Sequence, residues 1–134
     1  MAKLSTIEGI GKKYEETLRA HGIKSVEKLL QTCSTKKGRT ELAEATGISE
    51  KLILTWTNHA DLFRIKGVAG QYAELLEAAG VDTVVELATR NAENLCKKMQ
   101  QINDEKALVR NVPRLVQVED WVKQASLLPR AVHY

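Results

Sequence analysis

A duplication constrains what this chain can fold into more than any other feature of its sequence. Residues 7–30 read IEGIGKKYEETLRAHGIKSVEKLL, and residues 65–88, displaced by 58 positions, read IKGVAGQYAELLEAAGVDTVVELA. Nine of the 24 positions are identical: Ile7, Gly9, Tyr14, Glu16, Leu18, Ala20, Gly22, Val26 and Leu29 recur with their partners. A repeat of this size is a supersecondary unit used twice. With 134 residues, 43% of them hydrophobic, the chain has material for one compact domain or two small ones sharing a core.

The unit reads as short helices joined by glycine hairpins. Tyr14 and Leu18 lie four apart, and Tyr72, Leu75, Leu76 and Ala79 give a fuller stripe at helical spacing. Gly22 and Gly80 stand where a left-handed C-terminal cap is needed, followed by the apolar Ile23 and Val81. Ser25 and Thr83 are N-caps for the next helix, and Thr83-Val-Val-Glu86 fits a capping box. Thr40 to Ala45 and Glu50 to Leu62 form a further pair, broken at Thr46-Gly47-Ile48-Ser49, with Ile53, Trp56 and Ala60 on one face of the second helix.

Trp56 aligns with Trp121 at an offset of 65, so about seven extra residues precede the last helix, and Asn111-Val-Pro113 is their expected site. Asn91 to Arg110 should hold one or two helices. The two tryptophans, set in helical stripes, read as core anchors. No flexible linker separates the copies, which predicts that they pack together.

Charge divides the copies. Residues 1–64 carry a net +3 and residues 65–134 carry none, which makes the first copy the expected docking face for an anionic partner. Cys33 and Cys96 fall at non-equivalent positions and no CxxC or Cys/His cluster accompanies them, so a reducing compartment is expected, with no disulfide and no metal. No apolar run has signal-peptide length or approaches the roughly 20 residues that span a bilayer, so the expectation is a soluble cytoplasmic protein with no membrane partner. His21, His59 and His133 stand alone, and no HExxH, GxSxG or phosphate-loop pattern occurs. The chain is therefore expected not to be an enzyme, and no cofactor or small-molecule substrate is implied.

Ile-x-Gly-Ile-Gly, helix, Gly-Ile, helix, and then Glu41-Leu-Ala-Glu-Ala-Thr-Gly-Ile-Ser49 resembles tandem helix-hairpin-helix sequence. From Ile10 to about Leu62 it is similar to the C-terminal DNA-binding domain of the bacterial RNA polymerase alpha subunit. The whole chain resembles an uncharacterised bacterial family, described as a domain of unknown function, that carries two such units. The resemblance implies an all-α fold in which two tandem helix-hairpin-helix repeats, residues 1–64 and 65–134, pack into one compact unit.

It also implies a non-enzymatic module that grips nucleic acid, DNA rather than RNA, by the phosphate backbone with little sequence preference. A hairpin brings amides to a helix N-terminus, where the dipole favours an anion. The matching groups here are Gly9, Gly11, Lys12 and Lys13 at the first hairpin and Gly47, Ser49 and Lys51 at the second. Lys36, Lys37 and Arg39 add a basic loop. Lys12 and Lys13 oppose the dipole of their own helix, a conflict that a bound phosphate removes and that Glu15 and Glu16 would otherwise neutralise.

Glu16 and Glu50 depart from the DNA-binding pattern, since each repels phosphate. The second copy lacks the lysines at Gly67-Val-Ala-Gly70-Gln71 and has lost the Gly-Ile-Ser hairpin near Gln101 to Lys106. Its role is expected to be structural. The alternative is an adaptor for an unidentified protein, or a self-associating scaffold, that keeps the fold without binding nucleic acid.

Overall fold

A computed structural model describes residues 2–134. Among them are eight α-helices, one 3-10 turn and no strand. The chain divides into two compact units, one running to Asp61 and taking in Ala131–Tyr134, the other Leu62–Arg130. The last four residues thus belong to the first unit.

The first unit holds the 3-10 turn Leu4–Thr6 and helices α1 (Lys12–Ala20), α2 (Val26–Thr32), α3 (Lys36–Thr46) and α4 (Glu50–Leu62), whose last residue counts with the second unit. Sequence chemistry sets most of these boundaries. After α1 the amide of Gly22 donates to Arg19 O and that of Ile23 to Leu18 O, at 3.1 and 2.9 Å, with Gly22 at φ +85°. This is a Schellman cap, which satisfies carbonyls the helix end would leave open. Ile23 folds back into the core. The hydroxyls of Ser25, Thr35 and Ser49 then accept from the amides of Lys28, Gly38 and Leu52 to start α2, α3 and α4. Leu4, Ile7, Leu18, Leu29, Ile53 and Trp56 are fully buried.

In the second unit, α5 (Gly70–Ala78), α6 (Val84–Ala88), α7 (Ala92–Lys106) and α8 (Leu115–Leu127) follow the same succession. Gly80 and Val81 repeat the Schellman bonds, to Glu77 O and Leu76 O at 3.0 and 2.8 Å. Helix α8 packs on α6 and α7, and α5 on α7, around a core that includes Leu75, Leu76, Val84, Leu87, Met99 and Trp121.

Both tryptophans anchor their units as expected, and each has the repeat-equivalent tyrosine against it. Tyr14 meets Trp56 with ring centroids 5.0 Å apart, and Tyr72 meets Trp121 at 5.4 Å. Such tilted aromatic pairs add to the area they bury.

Two local readings need correction, and two are sharpened. Lys36 to Arg39 is the first turn of α3, not a loop, because Thr35 caps it. The Thr83 hydroxyl does cap α6, but the Glu86 carboxylate turns to Arg90, which stands one helical turn on and also donates to Gly80 O. Of the one or two helices expected over Asn91 to Arg110 there is one, α7, capped by Asn91. Ile53, Trp56 and Ala60 do form a buried face of α4, but burial extends past it: every residue from Trp56 to Leu62 is buried, polar Thr57, Asn58, His59 and Asp61 among them.

The extra residues of the second copy are distributed. Gly47 closes α3 and Ala107 closes α7, an offset of 60, and both are left-handed with the same amide bond back to the helix. The remainder therefore lies between Ala107 and Leu115, where the Asn103 side chain bonds both the N–H and the C=O of Val109.

Candidate nucleic-acid interface

The first hairpin is held by the core beneath it. Ile7 and Ile10 are buried, the Ile10 amide donates to Ile7 O at 3.2 Å, and Gly9 turns the chain at φ +93°. Gly9 lies against the Trp56 indole, where an added Cβ would stand 3.5 Å from Nε1. This contact leaves Gly11, Lys12 and Lys13 outward and exposed.

Gly11 is the N-cap of α1 and offers no side chain to it. A helix leaves its first amides without intrahelical acceptors, and those of Lys12, Lys13 and Tyr14 have none elsewhere among the described residues. Nor do Glu15 and Glu16 neutralise the lysines: among the described residues neither Lys12 nor Lys13 forms an ion pair. Open amides and unpaired ammonium groups therefore share one helix end, an arrangement that suits an anion.

At the second hairpin the amides are partly spoken for. Gly47 takes φ +77° and its amide returns to Ala43 O at 2.9 Å, while Ser49 Oγ accepts from Leu52 at 3.2 Å. Glu50 is held by the Thr40 hydroxyl at 2.7 Å, and Lys51 is exposed without an ion-pair partner among the described residues. Lys37 stands 4.0 Å from Glu41 with both side chains largely exposed, a surface pair worth little.

Arg39 corrects the sequence reading most sharply. It is 4% exposed, and its guanidinium donates to Cys33 O at 2.9 Å and His133 O at 2.8 Å, with the Tyr134 ring at 6.0 Å. It fastens Ala131–Tyr134 to the first unit, aided by the His133 amide bonding Ser34 O at 2.7 Å. Beneath it, burial pushes the Cys33 thiol from about 9 up to about 11, against a hydrogen bond with Thr57 and the charge of Arg39.

Lys36, Arg39, Glu50 and Lys51 line a single open cleft of about 390 Å³ together with Leu54 and Tyr134. Lys12 and Lys13 do not line it. No sequence signal marked Tyr134, because its place depends on bonds between residues 94 positions apart.

The hairpin of the second unit is differently held. The Lys66 amide donates to Gln124 Oε1 at 2.8 Å and its carbonyl accepts from Gln124 Nε2 at 3.1 Å, so one side chain clamps the turn. Among the described residues no group of three or more His, Cys, Asp or Glu is placed to hold a metal ion. No described helix is long and apolar enough to cross a membrane.

Residues 8–128 match the family described as a domain of unknown function, DUF4332, and the chain belongs to that family. No curated protein and no solved structure matches it.

Proposed function

We propose that this family member is a non-enzymatic tandem helix-hairpin-helix module whose first repeat holds the DNA phosphate backbone with little sequence preference. The observation that carries the reading is the N-terminus of α1, where amides without acceptors coincide with Lys12 and Lys13 free of ion pairs. Contacts of this kind position a protein on a duplex and read no base. Lys51 adds a second exposed cation at the Gly47 turn. Gln124 clamps the corresponding turn of the second repeat, consistent with a structural role there.

Fluorescence anisotropy with labelled duplexes of unrelated sequence tests this. The wild type binds them alike at low salt, and affinity falls steeply with added salt, because releasing condensed counterions into a saltier solution gains less entropy. Lys12→Glu with Lys13→Glu weakens binding at least tenfold. Binding that ignores that double change, or no binding at low salt, refutes the proposal.

The alternative, a protein adaptor or self-associating scaffold, is favoured by α8 of the second unit, where Val116 is 63% and Leu127 78% exposed. Sedimentation that is strictly monomeric across concentrations, from protein that binds duplex, excludes the scaffold.

A further inference from the structure

We propose that the cleft lined by Lys36, Arg39, Glu50, Lys51, Leu54 and Tyr134 binds a nucleoside 5′-monophosphate, either free or as the phosphorylated end of a strand. The inference deepens the nucleic-acid reading, sharing Lys36 and Lys51 with it, but needs neither Lys12 nor Lys13.

The shape and the lining point the same way. A volume of about 390 Å³ falls in the range of roughly 300–1,000 Å³ typical of small-ligand sites. Lys36 and Lys51 are exposed at its edge, with no ion-pair partner among the described residues. Arg39 is a buried cation in its wall. A guanidinium has five N–H donors; two serve Cys33 O and His133 O, and no acceptor among the described residues takes the others. Three positive groups thus line the cleft beside the Glu50 carboxylate. Glu50 spends Oε1 on the Thr40 hydroxyl, which leaves Oε2 as an acceptor for a ligand hydroxyl or amino group.

Charge alone would suit any phosphate. The apolar members decide the class: Leu54 and Tyr134, a residue 64% exposed, offer a surface that a phosphodiester backbone does not use and an unstacked base does. A duplex keeps its bases inside and presents only phosphate. The ligand that matches this lining carries a phosphate for Lys36, Lys51 and Arg39, a planar base for Tyr134 and Leu54, and a sugar or amino donor for Glu50.

Isothermal titration calorimetry on the whole chain tests this with adenosine 5′-monophosphate, adenosine, inorganic phosphate and a trinucleotide with and without a 5′-phosphate. The monophosphate binds at least tenfold tighter than adenosine or phosphate alone. Lys36→Gln with Lys51→Gln weakens it at least tenfold, as does Tyr134→Ala; circular dichroism should be unchanged in all, since these side chains are exposed. Tighter binding of the phosphorylated trinucleotide than of the monophosphate identifies a strand end as the source, and the reverse identifies a free nucleotide. No monophosphate binding at millimolar concentration, or binding indifferent to these substitutions, overturns the inference. Duplex binding without monophosphate binding refutes this site alone; monophosphate binding without duplex binding refutes the backbone grip alone.

Discussion

Replacing Gly67 by alanine should destabilise the protein by about 3 kcal/mol, from two separable causes. Gly67 sits at φ +99°, and an L-residue held in the left-handed region loses about 1–2 kcal/mol. Its new Cβ would also stand 2.9 Å from Trp121 Nε1, closer than real Cβ contacts come. Trp121 is 2% exposed and packed against Tyr72, so it has no free space to swing into, and overpacking of this kind costs about 1–3 kcal/mol.

Two other glycines isolate the first cause. Gly22, at φ +85°, would place a Cβ with nothing within 4 Å, and Gly9, at φ +93°, one at an ordinary 3.5 Å from Trp56 Nε1. Gly22→Ala and Gly9→Ala should therefore each cost only the conformational part, about 1–2 kcal/mol. Urea unfolding followed by circular dichroism measures all three, compared at equal m-value. A double-mutant cycle of Gly67→Ala with Trp121→Phe, which removes the crowded nitrogen, should show a favourable coupling of about 1 kcal/mol. If Gly67→Ala costs no more than Gly22→Ala, or the cycle shows no coupling, the steric argument is wrong.

Gly38→Ala should be more damaging than its place in a helix suggests, by about 2–4 kcal/mol in the same assay, because its Cβ would fall 2.1 Å from the Thr32 carbonyl oxygen and backbone would have to move. Ala107→Gly should stabilise by about 0.5–1 kcal/mol, measured as a higher urea midpoint, since Ala107 holds φ +49° where the first unit has Gly47. Cys33 should resist thiol reagents at pH 8 in the folded state. Because folding raises its pKa from about 9 to about 11, the native state keeps a proton that the unfolded chain has released. Its stabilising contribution is whole below pH 9 and disappears by about pH 11, a fall of about 2–3 kcal/mol that Cys33→Ala should remove from a stability-versus-pH profile.

The helices and their ends were legible because capping is local chemistry. A glycine followed by an apolar residue, then Ser or Thr, says where one helix stops and the next starts, and Gly22, Gly80, Ser25 and Thr83 all behave so. The tryptophan anchors were legible too, from helical spacing and their recurrence. Ala107 was not, since alanine gives no left-handed signal and only the pinning of Val109 by Asn103 fixes the turn. The basic stretch at Lys36 to Arg39 misled for a related reason: composition says nothing about which cation is covered.

By itself, then, the sequence determined a doubled set of short helices, their caps, and a first copy richer in positive charge, all through interactions within a few residues. Tertiary structure decided what became of the charges. It buried Arg39 under His133 and Tyr134, left Lys12 and Lys13 unpaired beside open amides, and gathered Lys36 and Lys51 around one cleft. Those outcomes rest on contacts between residues far apart in the chain, where desolvation and geometry act and local patterning carries no information.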